Sequence, residues 1–176
     1  DNRILGELPT KLHGLVTPDT NNQHGLLCWP ALAGAISLEE HKAFTHQHLT
    51  EIGMVLGAKS PAPKVNFIPY RGNFSRGIMA NVYTAYAGTQ EEAIELYESY
   101  YQDSPFVFVS TKAVDVKQVV NTNKCIIHIK KEQGQLVIYS AIDNLLKGAS
   151  GQAVQNFNLA FGIEENLGLK LKSIAF

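Results

Sequence analysis

The order of elements in this sequence predicts an α+β domain built on a mixed, mostly antiparallel sheet. Three observations carry that prediction. From residue 64 onward, short segments of period-two alternation are interleaved with segments of helical period. Lys131-Glu132-Gln133-Gly134 sits between two apolar runs, residues 125–129 and 135–139, and supplies a glycine for the positive φ that a tight hairpin needs. Thr89-Gln90-Glu91-Glu92 is a capping box, in which the threonine oxygen accepts from the N3 amide while the glutamate reaches back.

Along the chain, residues 1–36 read as irregular, with three of the seven prolines and a polar run at 17–23. Residues 26–36 are apolar and predict a short buried helix with Pro30 in its first turn. Residues 37–62 have a helical pattern: Leu49, Ile52 and Leu56 share a face, Gly57 is the stop, and Ser60, Pro61 and Pro63 form a linker. Val65 and Phe67 predict a strand that ends in a turn at Pro69, and the alternation over 77–86 predicts another. The helix opened by Thr89 presents Ala93, Leu96, Tyr97 and Tyr100 to the core and is bounded by Pro105. Residues 106–109 read as a buried strand. Ser150 is expected to cap a last helix that buries Ala153, Val154, Phe157, Ala160 and Phe161 and stops at Gly162.

Composition excludes several classes of function. The 176 residues are 45% hydrophobic and 18% charged, enough to build a core, and the formal net charge of -1 gives no basic excess for nucleic acid. No apolar run approaches the ~20 residues that span a bilayer, and no leader opens the chain. Two cysteines, Cys28 and Cys125, are no disulfide framework and point to a reducing, cytoplasmic setting.

Four groups of residues are candidates for chemistry. Cys28, placed by Pro30 at a helix start, would have its thiolate stabilised by free amides, whereas Cys125 lies in an apolar strand and reads as core. His46 and His48, two apart, are too few for a zinc site, and no metal is expected; at a helix start the neutral imidazole of a general base is favoured. Arg71 and Arg76 flank a polar loop and suit a carboxylate or phosphate. Residues 143–151 lead from a strand into a helix, where backbone amides would face an anion, but the glycine spacing of a dinucleotide fingerprint is missing.

Four runs resemble one family. DNLLKGASGQAVQNFNLAFG (143–162) is similar to the C-terminal signature of N-acetyl-gamma-glutamyl-phosphate reductases, relatives of aspartate-semialdehyde dehydrogenase. FIPYRGNFSRGI (67–78) and FTHQHLTEI (44–52) resemble two further segments of that family, in order and spacing. CWPALAGAI (28–36) resembles its nucleophile segment, with Leu27, Trp29 and Ala31 standing for glycine, tyrosine and threonine. The resemblance implies helices on one face of the sheet, as in the C-terminal domain of glyceraldehyde-3-phosphate and aspartate-semialdehyde dehydrogenases. It implies a cytoplasmic enzyme of arginine biosynthesis that reduces an acyl phosphate with NADPH through a cysteine thioester. Cys28 would be the nucleophile and His46 the base, with His48 the alternative. Arg76, Arg71 and Glu51 would bind the substrate, and Asn144, Lys147 and Gly148 would approach the cofactor. Residues 1–36 would be an arm or the remnant of a nucleotide-binding domain, and 37–176 the substrate-binding and dimerisation domain. NADP would then be bound mainly by a domain not evident in this chain, which reads as a truncated form. A homo-oligomer, dimer or tetramer, is expected through the sheet of 77–86 and 125–139. The alternatives are a non-catalytic relic of the same fold and a thiol hydrolase using Cys28 and His46.

Overall fold

A computed structural model describes residues 24–28, 39–40, 42–57, 64–71 and 74–173; at 24–28 and 39–40 it is the main-chain path that is described. Seven strands form one mixed sheet in the order β2-β3-β1-β4-β7-β6-β5. They are β1 (His24–Cys28), β2 (Glu39–Glu40), β3 (Val65–Arg71), β4 (Ile78–Ala85), β5 (Val107–Ser110), β6 (Cys125–Glu132) and β7 (Gln135–Ile142). β1 with β3 and β5 with β6 are parallel, and the other four pairings are antiparallel. The helices are α1 (His48–Gly57), α2 (Gln90–Tyr101) and α3 (Gly151–Ala160).

The local signals explain most of these elements. The β6–β7 hairpin turns through Gln133 and Gly134, both at positive φ (49° and 78°), so the two-residue turn follows the strand twist. At α2 the capping box is complete: Glu92 N donates to Thr89 Oγ1 at 3.1 Å and Thr89 N donates to Glu92 Oε2 at 2.8 Å, an arrangement worth ~1 kcal/mol. α2 buries Ala93, Tyr97 and Tyr101.

Residues paired across strands share a face. Ile129, Ile138 and Val82 stand on one rung and pack with Ala93 and Tyr97 of α2. That rung continues through β1 to Phe67, on which the His46 ring rests just before α1. α1 and α2 therefore cover the same face of the sheet, as expected. On the other face, Val114 and Val119 from the loop before β6 cover Met79, Ile126 and Ala141. The next rung, Ser110, His128, Tyr139 and Asn81, has no helix over it among the described residues.

Four expectations are corrected. Residues 26–28 are strand, not the start of a helix, because the main chain there pairs with β3 and β4; 29–36, with Pro30, lie outside the described residues. The helix expected from residue 37 begins at His48: Glu39 and Glu40 pair with Arg71 and Tyr70. β3 runs through Pro69 to Arg71; β2 pairs only with residues 70 and 71, leaving that side of Pro69 an edge, where a missing N–H is tolerated. In α3 the buried residues are Gly151, Gln155 and Asn158, and the expected apolar face lies in solvent. Residues 1–23 and the linker at 60–63 lie outside the described residues.

Candidate functional site

The topology gathers the predicted residues at one end of the sheet. β1 lies between β3 and β4, with Cys28 in register with Pro69 and Ala80. Arg71 ends β3, Arg76 precedes β4, and Ile78 pairs with Ile142, one residue before Asp143. The chain ends bearing Cys28, Arg71, Arg76 and Asn144 thus meet around the end of one central strand.

Asp143 is the hub of this end, and it is fully buried. Its Oδ1 accepts from the amides of Leu145 (2.8 Å) and Leu146 (3.0 Å), and its Oδ2 from Asn121 N (2.6 Å). Arg76 Nη2 donates to Oδ1 at 3.2 Å; Arg76 Nε lies 2.9 Å from Oδ2 but is directed off the line between them, so that contact is an ion pair rather than a hydrogen bond. Next to it, Asn144 Oδ1 accepts from Gly77 N at 2.6 Å. Two consecutive residues of one loop therefore clasp two consecutive residues of another. Gly77 is required there twice over: its φ is 109°, and a Cβ would stand 2.2 Å from Val116 Cγ1. Burial pushes the Asp143 carboxyl up, but the hydrogen bonds from Asn121, Leu145, Leu146 and Arg76 outweigh it and hold the group below the usual carboxylate range.

Asp143 also changes how the following loop is read. Residues 146–150 form a π-helical turn that runs directly into α3, with Gly148 N bonded to Asp143 O, Ser150 N to Leu145 O and Gly151 N to Leu146 O. Ser150 is no N-cap; its hydroxyl donates back to Leu145 O. Of the amides expected to face an anion, those of Leu145 and Leu146 are taken by Asp143 and those of Gly148, Ser150 and Gly151 by backbone carbonyls. Lys147 is 4% exposed, donates to Gln155 Oε1 at 2.8 Å and sits 5.7 Å from the Phe106 ring centroid. Of the residues expected at the cofactor, Asn144 is bonded to the Gly77 amide, Lys147 is buried under α3, and exposed Gly148 offers an amide already in use. These groups do not fit the phosphates of a dinucleotide.

His46 and His48 do come together: their ring centroids are 4.5 Å apart and edge-on. His48 N donates to His46 Nδ1 at 3.2 Å. An imidazole nitrogen that accepts carries no proton, so a neutral His46 carries its proton on Nε2. Glu51 lies exposed in the first turn of α1, and Arg71 is exposed at the end of β3. Cys28 is the last residue of β1, and the helix expected to follow it, at 29–36, lies outside the described residues. Sequence reasoning missed Asp143 and Asn121. An aspartate directly after a strand and two residues before an apolar helical turn was the available signal for the cap.

Comparison with known proteins agrees with this architecture. A family profile described as "Semialdehyde dehydrogenase, dimerisation domain" matches residues 32–144. N-acetyl-gamma-glutamyl-phosphate reductase of Azobacteroides pseudotrichonymphae is 56% identical over 140 residues, 80% of this chain and 43% of that protein. The same-named protein of Parabacteroides distasonis is 56% identical over 138 residues, 77% of this chain and 43% of that protein. The chain thus spans less than half the length of these curated relatives. Among solved structures, aspartate semialdehyde dehydrogenase II of Vibrio cholerae superposes with a TM-score of 0.59 at 12% identity, over 80% of this chain and 55% of that one, a likeness of fold. Among the described residues no helix is long and apolar enough to cross a membrane. With a profile match over more than half its length, in the strands that build the sheet and the loop that ends it, this chain belongs to the semialdehyde dehydrogenase dimerisation-domain family.

Proposed function

We propose that this chain is the substrate-binding and dimerisation part of an N-acetyl-gamma-glutamyl-phosphate reductase, a cytoplasmic oxidoreductase of arginine biosynthesis that converts an acyl phosphate to a semialdehyde. The observation that carries the reading is the clasp of Arg76-Gly77 by Asp143-Asn144, lying within the stretch that the family profile matches. In this reading Arg76, with Arg71 beside it, binds the substrate's phosphate or carboxylate. Arg76 is well suited: its Nε and Nη2 face Asp143, which orients the guanidinium, and the side chain is 27% exposed. The Cys28 thiolate attacks the acyl carbon and phosphate leaves, forming a thioester. His46 is the base that manages the proton, with His48 the alternative, and Glu51 helps bind the substrate. NADPH is the reductant the reading implies, and the described residues do not hold its phosphates; its binding falls to polypeptide outside this chain.

The uncovered sheet face is the proposed contact with a second copy. Asn81 is buried there with Oδ1 lacking a hydrogen-bond partner, beside the stacked His128 and Tyr139 rings (centroids 5.9 Å apart).

Calorimetric titration with the γ-phosphonate analogue of N-acetylglutamyl phosphate tests the substrate reading. Arg76→Lys keeps the charge beside Asp143 but loses the planar fork, and is expected to weaken binding tenfold or more with the fold intact. Equal affinity in the variant, or no binding by the unaltered chain, refutes it.

A further inference from the structure

The turn that leads into His46 is held in a backbone conformation its side chains disfavour. Lys42 and Phe44 have φ of 55° and 58°, in the left-handed region that suits glycine. Hydrogen bonds fix the turn there: Phe44 N donates to Phe67 O at 2.9 Å, and Thr45 N to Lys42 O at 3.1 Å. A bulky residue in that region costs free energy, and such strain is kept where the surroundings enforce it and a site uses it. Packing does not account for Phe44, which is 56% exposed. For the fold alone, glycine would serve better at this position. What distinguishes Phe44 is where the turn puts it. Glu39 and Glu40 pair with Arg71 and Tyr70, and Phe44 N bonds to Phe67 O, so these contacts fall on either side of Pro69, the register partner of Cys28. Phe67 and Pro69 are two residues, about 7 Å, apart along β3 and share a sheet face. That is the face on which the His46 ring rests, its centroid 5.4 Å from that of Phe67.

We propose that Phe44 is a specificity-determining residue of the substrate site, its exposed ring packing against the N-acetyl group; the proposal rests on the functional reading above. In that reading Arg76 and Arg71 take the phosphate or carboxylate, and Cys28 and His46 the acyl carbon. The acetamide is then the part of the substrate with no group assigned to it. It is a flat amide that carries a methyl, and the face of an aromatic ring accepts both. Phe44 is the exposed aromatic residue two positions before His46, anchored to the strand that pairs with β1. The left-handed turn keeps the ring in solvent beside His46, where a helical or extended backbone at 44 would aim it elsewhere. The strain of the turn is in this account the cost of presenting an apolar surface to the ligand.

The test titrates the chain by calorimetry with the γ-phosphonate analogue of N-acetylglutamyl phosphate and with its N-formyl counterpart, which keeps the amide and lacks the methyl. Burial of one methyl against the ring corresponds to about a fourfold preference for the acetylated compound. Phe44→Gly is expected to weaken the acetylated analogue about fivefold or more and to abolish that preference. Because glycine relieves the backbone, its melting temperature should hold or rise by about 2 °C. Phe44→Tyr keeps the ring and should bind as the unaltered chain does. Lys42→Gly relaxes the same turn and keeps the ring, so its affinity should stay within about twofold. An unchanged acetyl preference in Phe44→Gly overturns the proposal, and so does a loss of more than about 3 °C in that variant, which would make the ring part of the core. Equal weakening by Lys42→Gly also overturns it, by making the turn rather than the ring the determinant. If the unaltered chain binds both analogues equally, the proposal falls and the functional reading stands. If it binds neither, the functional reading falls and takes the proposal with it.

Discussion

Replacing Asp143 with alanine should destabilise the protein by about 3 kcal/mol. The carboxylate caps the amides of Leu145 and Leu146, bonds the amide of Asn121 and pairs with Arg76, all from a fully buried position. Breaking a buried ion pair by removing one partner costs roughly 3–5 kcal/mol, and losing a helix cap about 1. The Arg76 side chain is 27% exposed, so its guanidinium can turn to water and the charge contribution falls below that range. For a chain of this size ~3 kcal/mol corresponds to a fall of about 6–12 °C in Tm. Asp143→Asn keeps one acceptor for the cap and loses the charge, so roughly half that fall is expected. The pH dependence gives a second handle. Because the folded carboxyl lies below the ordinary value, its contribution is complete above the usual carboxylate range, about pH 4, and is lost as pH falls through the folded value. The difference between thermal melts of wild type and Asp143→Asn should therefore be smaller at pH 3 than at pH 7. An Asp143→Ala melt within 2 °C of wild type at pH 7 would refute the hub.

Gly77→Ala forces a side chain into a 109° φ and against Val116, so a loss of about 3 kcal/mol or more is expected by denaturant titration, partly recovered with Val116→Ala. Gly134→Ala, at φ 78° with open space around it, should cost only ~1 kcal/mol, and an equal loss at both glycines would contradict the steric account. Cys125 is fully buried, and burial raises its thiol pKa, so timed alkylation near pH 7 should leave it unmodified until the protein unfolds; labelling of native Cys125 within minutes would disprove its placement. Tyr139→Glu places a charge at the centre of the uncovered sheet face and should turn the proposed homodimer into a monomer in sedimentation, a result an unchanged dimer would exclude. Nucleotide fluorescence should find NADPH bound weakly or not at all by this chain, since the amides of Leu145, Leu146, Gly148 and Ser150 and the Lys147 ammonium are engaged within the protein; a low-micromolar Kd would overturn that reading.

The elements readable from sequence are those whose cause is local. The α2 capping box and the two-residue β6–β7 turn are each decided within a few residues by backbone geometry, and both stand where the pattern puts them. The errors arise where a distant strand decides. Residues 24–28 are as apolar as a buried helix, and only the presence of β3 and β4 on either side makes them a central strand. Glu39 and Glu40 carry no strand propensity and are strand because Arg71 and Tyr70 offer an open edge.

α3 shows why the candidate site was only half legible. Helical period marks an apolar stripe correctly, but period alone says nothing about which way the stripe faces. Here the choice was made by a seam of Asn123, Lys147, Gln155 and Glu165, whose members lie up to 42 residues apart and whose pairing has no local signature. The same holds at Asp143, read as part of a turn when its carboxylate gathers groups from three loops. The family motif did locate both segments, since 143–162 contains the hub, the π-helical turn and the helix together. What a motif supplies is that these residues belong together; what each does follows from which donors reach it. Lys147 illustrates the difference: in the motif it reads as a residue that approaches the cofactor, and in the fold it is the donor that holds Gln155, and through it α3, in place.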